Sequence, residues 1–213
     1  MKKRFVAIAL VTMLALGGVS AYGMTESSPL QKAGEAFREW SSNRDVSTQV
    51  VASYHGHNIS ETDLQFEKST LVSQEEFKTQ SQISDRDAVN KIALGFMITE
   101  EADRRGLSAT DEEVEEMLSA IKEAYTLPDG KEMLDEYLNS AGLSFEDYLE
   151  DMRTQLPATI SKQKLEDAIA KEYCDEHGIA FTKVNQPKEV SDAVTEFKNE
   201  LFLENCDDII YNE

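Results

Sequence analysis

Apolar residues recur along this chain with the 3.6-residue period of helices over most of its length. Val89, Ile92, Ala93, Phe96 and Met97 share one helical face, and Gly106 stops that segment just after Arg104 and Arg105. Thr110 and Glu113 form a capping-box pattern ahead of Val114, Met117, Leu118 and Ile121. Leu127-Pro-Asp-Gly130 reads as a turn, followed by a short helix with Met133, Leu134, Tyr137 and Leu138 that ends at Gly142. Ser144 and Asp147 then open a longer helix, with Phe145, Tyr148, Leu149 and Met152 on its apolar side. Pro157 removes a backbone donor inside it, so a kink or restart is expected there. Beyond Pro157 the apolar side continues through Ile160, Leu165, Ile169 and Tyr173.

The pattern changes near each end. Gln49–Ser53 is β-prone, Tyr54-His-Gly-His57 supplies a turn, and Asn58-Ile59 returns as a second extended piece. Ser60-Glu-Thr-Asp63 opens a further helix. Ala33, Ala36, Phe37 and Trp40 have helical spacing, and Trp40 reads as the docking residue of its segment. Residues 72–84 either continue the preceding helix or form an arm. Val190–Leu203 reads as a last helix, and Asp208–Tyr211 as an edge strand. The expected class is mostly α, a helical module with a small β element near residues 49–59 and a contribution from the C-terminal tail.

The expected organisation follows from these shifts. Residues 1–21 read as a signal peptide: Lys2, Lys3 and Arg4, an apolar run from Phe5 to Leu16, and small residues at Val19-Ser20-Ala21. If retained, Phe5–Met24 is long enough to anchor the chain in a bilayer. Residues 22–47 form a polar N-terminal segment, 48–171 the helical core, 172–189 a short connector, and 190–213 a closing helix and return strand. The chain is expected to be exported.

Charge narrows the partners. The net charge is −20 over 213 residues. Such a surface repels nucleic acids and anionic lipid, which recognition meets with basic patches. The chain has no Gly-rich phosphate loop, no G-x-S-x-G, no C-x-x-C and no H-E-x-x-H. His55 and His57 flank Gly56 without a nearby third ligand, so no metal or cofactor is expected. Cys174 and Cys206 could form one disulfide in an oxidising compartment, or remain two unrelated thiols.

Three stretches in order resemble the SurA/PrsA-type extracytoplasmic chaperones. Val50–Leu64 is similar to their opening β pair and glycine turn. Ala88–Ile98 with Ala102–Val114 resembles the next helix pair, and Leu138–Leu149 the start of the long helix. The resemblance spans about Val50 to Leu165; Gly95, where the family usually has a large apolar residue, and Pro157 depart from it. In that family a parvulin isomerase domain often follows the long helix. Here only Glu172–Lys188 occupies its place, too short for a domain.

The resemblance implies a chaperone module, without isomerase activity, that binds unfolded or extended polypeptides in an apolar groove. Candidate groove residues are Phe96, Met97, Met117, Ile121, Met133, Tyr137, Tyr148 and Met152; the same spacing would equally place them in a core. The alternatives are a cell-envelope scaffold for one dedicated partner, or an enzyme with an unrecognised site. Unsatisfied helix faces could also pair two copies as a homodimer.

Overall fold

The computed structural model describes residues 28–43, 49–73, 83–183 and 186–212. The expected signal segment and most of the stretch between residues 72 and 84 lie outside them. Seven helices and a three-stranded antiparallel sheet make up the described chain: α1 (Pro29–Asn43), β1 (Val50–Tyr54), β2 (His57–Ser60), α2 (Glu61–Ser73), α3 (Asp85–Arg104), α4 (Asp111–Tyr125), α5 (Pro128–Ala141), α6 (Phe145–His177), α7 (Lys188–Asn205) and β3 (Ile209–Tyr211). The fold is mostly α, as the periodicity predicts.

The sheet order is β2-β1-β3, so the C-terminal strand pairs with the first strand of the described chain. Tyr54 faces His57 across the hairpin and Ile209 on the other side. The hairpin turns through His55 and Gly56, both at positive φ, which lets a two-residue turn match the strand twist. Ala52, Tyr54 and Ile59 point to one side and are buried there against Val89, Ala93 and Met97 of α3 and Leu64 and Leu71 of α2. Ile209 of β3 joins that core, whereas His57, Asn58, Ile210 and Tyr211 are exposed, as expected of a sheet covered on one face.

A second core lies among α4, α5 and the first half of α6. Val114, Leu118 and Ile121 meet Leu134, Leu138, Tyr148, Met152 and Leu156. Ile98 and Ala102 of α3 pack on Leu165 and Ile169 of α6, joining the two bodies. α7 closes over the second half of α6, with Val190 against Ala170 and Cys174.

The helix starts follow the sequence signals closely. Ser84 caps α3, and reciprocal capping boxes form at Thr110/Glu113 and Ser144/Asp147. Gly142 and Gly178 take the left-handed conformation that ends α5 and α6. The reading of Leu127–Gly130 as a turn needs correction. Pro128 begins α5, where its missing N–H costs nothing, and Gly130 is buried against α4. A Cβ at Gly130 would lie 2.3 Å from the Ala124 carbonyl oxygen, so glycine is required by close approach.

Pro157 does not restart the long helix either. α6 runs from Phe145 to His177 through it, so the connector to α7 is residues 178–187. Pro157 and Arg153 are on the solvent side of the helix, where water serves the carbonyl that loses its amide partner. Gly95 is likewise on an open face, with nothing near its Cβ position, so the missing large side chain leaves no gap.

Cys174 and Cys206 are free thiols. Cys174 packs against Val190 at the start of α7, while Cys206 follows its end. Sixteen residues of helix separate Val190 from Cys206, about 24 Å at the α-helical rise. A disulfide needs Cα atoms within about 7 Å, so this packing holds the two apart.

Candidate polypeptide-binding cradle

Five helices close a circuit. α1 packs on α5 and on α2; α2 packs on α3; α3 packs on α6; and α5 shares its core with α6. Glu67 of α2, Lys91 of α3 and Lys162 of α6 lie near enough to act on one another electrostatically, as do Glu166 of α6 and Lys198 of α7 on Lys162. Lys162 is open to solvent, yet burial is the leading cause that draws its ammonium below the ordinary lysine range. Burial likewise leads in pushing the half-buried Glu67 carboxyl up, against the pull of Lys91 and Lys162. Lys198 is held to Glu166 at 3.1 Å, whereas Lys91 and Lys162 have no ion-pair partner among the described residues.

The aromatic side of the cradle is built by α1, α2 and α5. Trp40 sits between Phe37 and Phe66, at 5.4 and 5.5 Å between ring centroids. Its indole N–H donates to Asp63 Oδ1 at 3.1 Å. Asp63 is fixed in turn by the Ser60 amide and hydroxyl at the start of α2. Phe37 continues to Tyr137 of α5, and Tyr137 to Tyr148 of α6. Burial holds both tyrosine hydroxyls well above the ordinary phenol range, so they remain neutral.

The eight candidate groove residues divide evenly. Met97, Ile121, Tyr148 and Met152 are at most 5% exposed and fill the two cores. Phe96, Met117, Met133 and Tyr137 are half-buried. Phe96 stacks on His57 at 4.6 Å, beside the sheet. Met117 packs against the second core and Tyr137 reaches the α1–α5 contact. The tertiary structure therefore does not bring the eight together on one surface. Glu67, Lys91 and Lys162 escaped the sequence reading because they come from helices far apart in the chain; Phe66 reads from the sequence only as an apolar residue inside its helix, with Leu64 and Leu71.

The histidines have structural partners. His55 Nδ1 lies 2.9 Å from Glu100 Oε2 and its Nε2 lies 3.4 Å from Asp208 Oδ2. His177 Nδ1 donates to the Tyr173 carbonyl at 2.9 Å and its ring stacks on Tyr173. Among the described residues no group of three or more His, Cys, Asp or Glu side chains is placed to hold a metal ion. Among them, too, no helix is long and apolar enough to cross a membrane.

The order of these elements, from β hairpin through four helices to a long one, agrees with comparison against family models. The model for the SurA-like N-terminal domain matches residues 2–159. The chain belongs to this family. The match runs to the middle of α6, two residues past Pro157, and so includes the whole aromatic side of the cradle. The rest of α6, α7 and β3 lie beyond it and pack on the matched part: β3 supplies the third strand and α7 covers α6. SurA-like N-terminal domains have a chaperone-type fold and are typically periplasmic. No curated protein and no solved structure matches the chain.

Proposed function

We propose that this SurA-like chain is an exported chaperone that holds unfolded or extended polypeptides in the cradle between α2, α3, α6 and α1–α5, without prolyl isomerase activity. The observation that supports the reading is the match to a family whose fold is of chaperone type; beside it stand an aromatic cluster on α1, α2 and α5 and two lysines, Lys91 and Lys162, without an ion-pair partner among the described residues. Phe66 and Tyr137 supply apolar contact. Lys91 and Lys162 attract the carboxylates of a client that the outer surface, at net charge −20, repels. That outer surface keeps a loaded complex soluble. Of the residues named from the sequence, Tyr137 is the one this reading assigns to client contact. The short connector 178–187 leaves no room for an isomerase domain between α6 and α7.

The test is aggregation of a reduced, unfolded model protein followed by light scattering, with and without the purified chain. Suppression at near-stoichiometric ratio supports the reading, and weakening by salt assigns part of it to the lysines. If scattering is unchanged at every ratio, the reading fails and a dedicated envelope partner takes its place.

A further inference from the structure

Among the described residues β3 has a strand, β1, on one side only. Ser53 stands opposite Ile210, and the Asn212 amide donates to the Val51 carbonyl at 2.9 Å. Backbone groups alternate in direction along a strand, so Ile210 and Asn212 serve the ladder while Ile209 and Tyr211 point outward. The Ile209 amide turns back to the Cys206 carbonyl. The Ile209 carbonyl and both backbone groups of Tyr211 are left without a partner among the described residues. Apolar side chains stand open beside them. Leu203 near the end of α7, Ile210 and Tyr211 are three of the four large apolar residues exposed in the described chain, and Ile210 is 63% exposed. Edges closed to other chains carry lysine, proline or a bulge at such positions.

We infer that the outer edge of β3 is a β-addition site: an extended client segment pairs with Ile209 and Tyr211, sets an apolar side chain beside Ile210, and carries Lys or Arg toward Asp207 and Asp208. The inference rests on the chaperone reading above for the kind of ligand, and adds a place where main-chain groups hold it. An antiparallel segment gives and takes a hydrogen bond at Tyr211 and donates another to the Ile209 carbonyl. Main-chain pairing accepts many sequences, which suits varied clients. Charge selects among them. Glu204, Asp207 and Asp208 are exposed just before β3, while Arg86 lies over the Tyr211 ring at 5.1 Å, toward the other end of the strand. A segment whose basic residues follow its apolar ones therefore fits antiparallel. A second copy fits worse, because both chains bring the same aspartates and a net charge of −20 to the seam.

The experiment titrates the purified, isotope-labelled chain with a short unstructured peptide, Val-Ile-Val followed by Lys-Lys, and reads affinity and amide exchange by NMR. Expected is slower exchange of the Tyr211 amide, about tenfold at roughly nine-tenths occupancy, with the Asn212 amide, already in the ladder, moving less. Replacing Lys-Lys by Glu-Glu should weaken binding, and salt should narrow the difference. Tyr211→Pro removes the outward donor and no ladder bond. It should bind about tenfold more weakly than Tyr211→Ala, which loses the same side chain but keeps the amide. Binding with an unchanged Tyr211 amide, or equal affinity of Y211P and Y211A, would overturn the edge site and leave the chaperone reading intact. Equal affinity of the two peptides would overturn the basic client. Tyr211 exchange that slows with chain concentration alone would give the edge to a second copy and sink the inference. If neither peptide binds, the edge site fails; if aggregation of the unfolded model protein is also unsuppressed, the chaperone reading fails with it. Should Y211P fail to fold, the wild-type amide decides alone.

Discussion

The backbone amide of Ala109 donates to the hydroxyl of Ser161 at 2.9 Å, and that hydroxyl donates in turn to the Pro157 carbonyl at 2.8 Å. Ser161 is 3% exposed, so this hydroxyl is a polar group inside the fold with both its roles satisfied. It ties the loop between α3 and α4 to the long helix one turn after its proline. Lys164, one turn further on, holds the Ser108 carbonyl at 2.8 Å and Glu113 at 3.0 Å, reinforcing the same junction. The two bodies of the molecule meet here, so their relative placement depends on it.

Replacing Ser161 by Ala leaves the Ala109 amide without its acceptor while changing little volume. The expected loss is about 1–3 kcal/mol of folding free energy, the usual cost of an unmet polar group in the interior. Urea denaturation followed by circular dichroism measures it. A midpoint equal to wild type would show that water replaces the hydroxyl without penalty.

Glu101 anchors the C-terminal end of α3. It accepts from Arg104 Nε and Nη2 and from Arg105 Nε, each at 2.6 Å, while Arg105 also reaches Glu172 of α6 at 3.2 Å and lies over the Phe197 ring of α7 at 5.2 Å. The hydrogen bond from Arg104 leads in holding the Glu101 carboxyl below the ordinary range, against the opposing effect of burial. A carboxyl with a lowered folded-state pKa contributes stability above its unfolded value of 4.5, and loses it as pH falls through the lower folded value. Glu101→Gln is therefore expected to cost about 1–2 kcal/mol at neutral pH, discounted for the exposure of Arg104. It should also flatten the acid limb of the stability profile. A pH series of urea midpoints, wild type beside E101Q, checks both; parallel acid limbs would remove Glu101 from the account.

The C-terminal strand is latched by histidine. His55 in the hairpin turn faces Glu100 of α3 and Asp208 just before β3, with His57 also 3.7 Å from Glu100. Tyr54 OH is 3.5 Å from the same carboxylate, and burial leads in pushing its hydroxyl up to about 12, so it stays neutral. The hydrogen bond to Glu100 leads in raising His55 above 6.5. A raised histidine contributes its stabilisation in full below the unfolded value, and loses it as pH rises through the higher folded value. Docking of β3 should therefore be firmer near about pH 6 than near about pH 8. Slower hydrogen exchange at the β1–β3 ladder amides in the acidic sample, after correction for intrinsic rates, is the expected result. His55→Gln should abolish the difference. Equal protection at both pH values in the wild type would refute the latch.

Local chemistry carried most of the architecture. The caps at Thr110 and Ser144, the stops at Gly106, Gly142 and Gly178, and the His55–Gly56 turn each depend on a few adjacent side chains and backbone angles, which a sequence displays directly. The same is true of the apolar stripes, and of the family membership that their order conveys. Where the local signal was ambiguous, packing decided. Leu127–Gly130 carries turn residues, but the space against Ala124 suits a helix that begins at Pro128. Pro157 is a helix breaker by itself, yet cores on both sides of it, Leu156 and Leu165, hold α6 in one piece.

The division between core and surface was not legible in the same way. Met97, Phe96, Tyr137 and Tyr148 share one spacing pattern, and only the neighbours that each helix acquires determine which are enclosed. The cradle is a longer step still from the sequence. Trp40 and Phe66 come together because α1 packs on α2, and Glu67, Lys91 and Lys162 come near one another because α2 packs on α3 and α3 on α6. Periodicity fixes which face of a helix is apolar, because that depends on bonds along one segment. Which faces meet, and which concavity they leave open, depends on contacts between segments, and those the tertiary structure alone decides.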